Sequence, residues 1–231
     1  MKKLVVLTGA GISAESGIKT FRDSDGLWEE YRVEDVATPE GFMRNPEMVL
    51  DFYNQRRKEV LKCVPNYGHV GLAELEKNCE VYVITQNIDN LHEKAGSSSV
   101  LHLHGEVMKV RSVKDETLIT ELQPDNCDIH IGDKASDGAQ LRPHIVWFGE
   151  AVPNIEPAIR LVEEADAFLI VGTSLYVYPA AGLVAYVRPG VPVYLIDPKP
   201  VAVPSGIKVK VYQAGASEGM KQFMADFLNE L

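Results

Sequence analysis

Apolar and polar positions along the chain fall into two alternating rhythms. Short apolar runs recur at residues 4–8, 81–85, 145–148, 167–171, 193–196 and 207–211. Runs that short with no polar face predict strands of a buried parallel sheet. The last run alternates with lysines, which predicts an edge strand. Helical spacing lies between most of the runs. Asn45-Pro46 predicts a helix start, a capping side chain followed by proline at the first helical position. That helix runs through Met48, Leu50, Phe52 and Tyr53 toward Leu61. Further helices are predicted over residues 68–77, 155–165 and 217–228. Strands alternating with helices predict an α/β fold with a doubly wound, mostly parallel, Rossmann-like sheet.

Two stretches break this rhythm. Residues 34–78 read as loop and helix with no strand. Residues 105–144 are polar, with short β-like pieces at 107–110 and 118–122. Together they predict a small module formed by two insertions. The main domain is then built from residues 1–33, 79–104 and 145–231.

Composition narrows the partners. The 231 residues carry 23 basic and 33 acidic side chains, a formal net charge of −10. No Lys/Arg run supplies the basic patch that direct nucleic-acid binding requires. Three cysteines, Cys63, Cys79 and Cys127, are odd in number and widely spaced. They predict reduced thiols and a cytoplasmic location rather than a disulfide framework. The apolar part of the N-terminal stretch is too short for a signal peptide and runs into a glycine turn. No segment reaches the length of a membrane span.

The first strand runs into Gly9-Ala10-Gly11-Ile12-Ser13-Ala14. This G-x-G-x-x-A pattern, after a strand and before a helix, suits a loop whose amides cradle a pyrophosphate. A tight turn with no ligand also favours glycine. A hydride-transferring dehydrogenase would carry an acid ending a second strand about 20 residues on. Glu29, Glu30, Glu34 and Asp35 lie near that distance but follow Gly26-Leu27-Trp28, which is no apolar strand.

The loop continues as Glu15-Ser16-Gly17-Ile18-Lys19-Thr20-Phe21-Arg22-Asp23, and there the sequence resembles the sirtuin family of NAD-dependent protein deacylases. Later segments resemble that family in the same order: Thr85-Gln86-Asn87-Ile88-Asp89-Asn90-Leu91-His92, Leu103-His104-Gly105, Val146-Trp147-Phe148-Gly149-Glu150, Gly172-Thr173-Ser174-Leu175 and Leu195-Ile196-Asp197. The resemblance implies an NAD site at Gly9, Ala10, Gly11, Ser13, Gly17, Phe21, Arg22, Trp28, Gln86, Asn87, Ile88, Asp89, Gly172, Thr173, Ser174, Asp197 and Ala216. It implies that Asn87 and Asp89 hold the nicotinamide amide and ribose, and that His104 is the catalytic base. Val146, Phe148, Gly149 and Glu150 would meet an acyl-lysine protein substrate. The products would be lysine, nicotinamide and O-acyl-ADP-ribose.

The residues themselves leave alternatives open. Asp89 after a strand could be a plain helix cap, and Thr173 a turn residue. His104 is one of six histidines, and His102 would share its face if both lay on one strand. A neutral imidazole titrating near working pH suits a general base.

Tyr53 and Arg56 are three apart on a predicted helix and so share a face. The pair resembles the Tyr-x-x-Arg of sirtuins that remove succinyl and malonyl groups. A guanidinium and a hydroxyl suit an acyl chain ending in carboxylate. The alternative is an ordinary solvated run, Arg56-Arg57-Lys58.

The family usually places four cysteines around a structural zinc in the small module. Residues 105–144 hold only Cys127, with His130 nearby and Ser112 where a thiol is expected. Cys127, His130 and His144 make at best a depleted set, so the reading is a degenerate ribbon without metal. Protein ADP-ribosyl transfer and a non-catalytic NAD or ADP-ribose sensor are the competing functions.

Overall fold

The computed structural model describes residues 1–19, 27–28 and 31–230. The expected cofactor contacts Phe21 and Arg22, and the side chain of Trp28, lie outside the described residues. In chain order the strands are β1 (Lys3–Thr8), β2 (Leu27–Trp28), β3 (Tyr31–Arg32), β4 (Glu80–Thr85), β5 (Val100–His102), β6 (Gly105–Ser112), β7 (Ile119–Glu121), β8 (Leu141–Ile145), β9 (Ala167–Val171), β10 (Val193–Ile196) and β11 (Val209–Tyr212). The α-helices are α1 (Val33–Val36), α2 (Pro39–Arg44), α3 (Pro46–Lys62), α4 (Tyr67–Leu75), α5 (Leu91–Ala95), α6 (Ile155–Glu163) and α7 (Ala216–Phe227). Two compact units result. Met1–Lys19, Val64–Leu103 and Val152–Leu231 form the first, and Thr20–Cys63 with His104–Ala151 the second.

The first unit is built on a six-stranded sheet in the order β11-β10-β9-β1-β4-β5, with every neighbouring pair parallel. Period two explains why β1 is apolar from Leu4 to Leu7. Leu4 and Val6 join a core with Leu72, Leu75, Met220 and Phe223, while Val5 and Leu7 join another with Ala158, Val162, Leu183 and Val184. Helices therefore cover both faces. The chain builds outward from β1 through β4 and β5, then returns to β9 and continues outward through β10 and β11. The order reverses between β1 and β9. No helix among the described residues is long and apolar enough to cross a membrane.

In the second unit β7, β6 and β8 pair antiparallel. Leu50 of α3 packs with Val110 and Ile129. Asn45 caps α3 by accepting from the Met48 amide, and Pro46 occupies its first turn.

Several expectations need correcting. The run 145–148 is no strand of the parallel sheet. Its first residue ends β8 in the antiparallel sheet, and the chain then turns, with Gly149 at φ +91° and the Trp147 amide donating to the Glu150 side chain. The helix expected in the small module, now α4, belongs to the first unit, because Leu72 and Leu75 pack with Met220 and Phe223 of α7. The helix after the glycine loop is a 3-10 segment, Ala10–Ser16, ended by Gly17 at φ +92°. His102 and His104 do not share a strand. β5 ends at His102, and Gly105 turns the chain at φ +83°.

Candidate active site

Ligands of open α/β sheets bind beyond the carboxyl ends of strands where the strand order reverses. The glycine loop follows β1 and Gly172 follows β9, so both flank that point. The two segments touch backbone to backbone. The Gly9 amide donates to the Val171 carbonyl at 3.0 Å and the Gly11 amide to the Gly172 carbonyl at 2.8 Å. A Cβ on Gly11 would meet the Gly172 Cα at 2.7 Å, and one on Gly172 would meet the Ile12 nitrogen at 2.3 Å. These glycines are needed for the loops' mutual approach as well as for any phosphate.

Behind the loops lies a buried polar network centred on Ser13. His69 Nδ1 accepts from the Asn66 amide at 3.3 Å, which puts its proton on Nε2, 3.3 Å from Ser13 Oγ. Asn87 Nδ2 also donates to Ser13 Oγ at 3.1 Å, and to the Gly9 carbonyl at 3.2 Å. The serine hydroxyl then donates to Asp89 Oδ2 at 3.1 Å. One donor and two acceptor sites are thus all used, which satisfies a fully buried hydroxyl. Asp89 Oδ1 meanwhile accepts from the Leu91 amide at the start of α5. Asp89 stands one residue before the cap position of α5, Asn90, and bonds the first helical amide while belonging to the network. Burial raises the Asp89 carboxyl above its ordinary range and lowers His69 to about 4.

The remaining expected cofactor residues of the first unit lie where strands end and at the start of α7. Gln86 Nε2 donates to Thr173 Oγ1 at 3.1 Å, and that oxygen also accepts from the Leu175 amide. Asp197, buried just after β10, accepts from the Lys199 amide. Ala216 is the buried first residue of α7. Ala10, Ile88 and Ser174 are half-buried. Buried carboxamide, carboxylate and hydroxyl groups around glycine backbone at a switch point fit a dinucleotide with an amide and a ribose.

His102 Nδ1 lies 3.0 Å from the Asn87 carbonyl and Nε2 2.7 Å from Glu93 Oε1. That ring is committed inside the first unit. His104, half-buried, is held in the second unit by its carbonyl, which accepts from the Val146 amide at 3.0 Å.

The acyl candidates sit on α3. Tyr53 is fully buried, and Trp147 Nε1 donates to its hydroxyl at 3.0 Å. Burial pushes the Tyr53 hydroxyl well above the usual phenol range, so it stays protonated. Arg56 is 6% exposed and pairs with Glu59 at 2.8 Å, and Arg57 is 0% exposed. The solvated-run alternative therefore fails, since only Lys58 of the three is exposed. Both Glu150 oxygens meet Arg142, at 2.6 and 3.0 Å. Val146 is half-buried, and Phe148 and Gly149 are exposed.

A family model described as "Sir2 family" matches residues 9–179. The chain belongs to the Sir2 family. An NAD-dependent protein deacylase of Bacteroides thetaiotaomicron is 62% identical over 225 residues, 96% of each chain. A solved Sir2 homologue in complex with ADP-ribose is 39% identical with a TM-score of 0.89, covering 99% of this chain and 93% of that one. A Sir2 homologue–NAD complex reaches a TM-score of 0.88 at 38% identity, covering 99% and 90%.

Within each unit of this Sir2-family chain, the fold also buries polar residues that the motifs do not mark. Thr8 and Thr85 end apolar strands, and Thr8 Oγ1 bonds both Thr85 Oγ1 and His92 Nε2. Their signal was polarity at the carboxyl end of a buried strand. His69 had a signal too, three residues after Asn66 in a capping box. Arg142, stacked 3.5 Å over the Trp147 ring, had none, because its partners come together only in the fold.

Proposed function

We propose that this Sir2-family chain is an NAD-dependent protein-lysine deacylase that favours succinyl and malonyl chains and also accepts acetyl. The observation that carries the acyl preference is a guanidinium and a neutral phenol, Arg56 and Tyr53, both withdrawn from solvent on one helix face. A cation there would be an expensive feature in a pocket meant only for a methyl group. It suits a carboxylate, which guanidinium binds in a fork while the phenol donates.

NAD, when bound, supplies the nicotinamide leaving group and the ribose carbon that takes the acyl oxygen, so that with one water consumed from solvent lysine, nicotinamide and O-acyl-ADP-ribose are formed. The chain's own groups do the rest. Glycine-loop amides orient the pyrophosphate. Asn87 and Asp89, tied to Ser13, hold the nicotinamide amide and the ribose. The His104 imidazole draws the proton from a ribose hydroxyl. The substrate's backbone lies along Val146, Phe148 and Gly149.

Mass spectrometry on acetyl- and succinyl-lysine peptides of one sequence, with NAD, tests this. His104→Ala should abolish turnover on both. Arg56→Met should reduce desuccinylation far more than deacetylation. No NAD-dependent loss of either group from the unmodified enzyme sinks the deacylase reading, and equal losses in Arg56→Met remove Arg56 from the acyl pocket.

We also propose that the polar ribbon needs no zinc. Ser112 Oγ donates to Asp137 Oδ2 at 2.6 Å and accepts from the Lys114 and Asp115 amides at 3.0 and 3.3 Å. The Ser112 bond is the first cause that holds the Asp137 carboxyl below the usual carboxylate range. These bonds tie the two ends of the ribbon, the work a metal does elsewhere. Metal analysis that finds one zinc per purified chain overturns this.

A further inference from the structure

We propose that Trp147 is a positioning residue that selects carboxylate-ended acyl chains by aiming the Tyr53 hydroxyl. The inference rests on the acyl preference given above. A phenol oxygen has one proton to give and lone pairs to accept with. Trp147 Nε1 donates to that oxygen at 3.0 Å. The Tyr53 proton is left out of that bond and is available to an acyl carboxylate. Accepting one bond also makes the phenol a better donor for the next.

The indole is held rigidly enough for the task. Arg142 lies 3.5 Å over its ring, a cation–π contact. The same guanidinium forks onto Glu150 at 2.6 and 3.0 Å and donates to the Ile145 carbonyl at 3.0 Å. Glu150 Oε2 in turn accepts the Trp147 amide at 2.8 Å. Burial pulls the Glu150 carboxyl up, but the Arg142 fork and this amide bring it below its ordinary range, so the clamp stays charged. Phe42 closes another side of the indole, with ring centroids 5.3 Å apart. The clamp thus runs from Glu150 through Arg142 and Trp147 to Tyr53. An acetyl group has no carboxylate for the Tyr53 proton, so deacetylation depends on the indole far less.

The test compares kcat/KM on succinyl- and acetyl-lysine peptides of one sequence. Trp147→Phe keeps a ring and removes only the N–H donor. The succinyl-to-acetyl ratio should fall about tenfold, mainly through a higher KM for the succinyl peptide. A fall of less than about threefold overturns the role, as does an equal fall for both peptides. In a Tyr53→Phe background the same change should lower the ratio no further, and additive losses overturn the coupling.

Tyr53→Phe and Arg56→Met separate the two ideas. If they lower the ratio and Trp147→Phe does not, the acyl preference stands and Trp147 has no part in it. If they leave the ratio unchanged, the preference fails and this inference falls with it. Should Trp147→Phe not fold, the intact enzyme gives a second reading. The chain has two tryptophans, so its indole N–H spectrum has two signals, and Tyr53→Phe identifies that of Trp147. Succinyl peptide should move that signal more than acetyl peptide does, and equal movement overturns the inference.

Discussion

A methyl group on Gly105 would lie 2.0 Å from the His144 carbonyl oxygen, on a backbone at φ +83°. The residue that follows His104, the proposed base, is therefore fixed by two separate constraints. Gly105→Ala should lower stability by about 2–5 kcal/mol, from left-handed strain plus overpacking. Urea unfolding measures it, and a loss under about 1 kcal/mol would contradict the close approach. The motif marked this glycine in the sequence, but its cause lies in the neighbouring strand β8, which no local pattern reveals. Arg56 and Arg57 teach the opposite lesson. Three consecutive cations leave a solvated face open as the alternative to a pocket, yet two are buried because α3 turns them inward with Leu50 and Tyr53.

At the scale of the element, α3 is the helix whose start was plainest in the sequence, since its cap and proline are local. What it holds was not legible. Asn54 Oδ1 accepts from the Ile129 amide at 2.9 Å and from Arg57 Nη1 at 2.6 Å, while Nδ2 donates to the Ile129 carbonyl at 2.9 Å. Arg57 Nε reaches the Val107 carbonyl at 2.9 Å. One side chain thus treats the segment at Ile129 as a strand partner. Asn54→Ala would strand buried backbone groups and one guanidinium nitrogen, at a cost of about 2–4 kcal/mol. An unchanged urea midpoint would remove Asn54 from that role. The apolar run 145–148 departs from the predicted parallel strand for the same kind of reason, because a glutamate side chain takes the Trp147 amide that a ladder would have used.

Across the whole molecule, stability should depend on pH through the buried histidines. His69 titrates near 4 when folded, below its ordinary 6.5, because burial disfavours the charged form. The unfolded chain binds the proton first, so stability is lost as pH falls from about 6.5 toward 4. Between pH 6.5 and 5 this amounts to about 2 kcal/mol. His92 is lowered as well, by burial first, and acts in the same direction. Asp89 opposes them. Its raised carboxyl gives stability at low pH that is lost as pH rises through its folded value. Urea unfolding at pH 7 and pH 5 should show a net loss that shrinks in His69→Gln. An equal loss in both proteins would contradict the assignment. The parallel sheet itself was legible, because residues buried on both faces leave a continuous apolar run. The place where its order reverses was not, since strand order is set by long-range pairing. At that reversal the loops after β1 and β9 leave no room for a side chain at Gly11 or Gly172. The two segments therefore travel as one part. A chimera that borrows one loop from a relative must borrow the other with it, however far apart they lie in the gene.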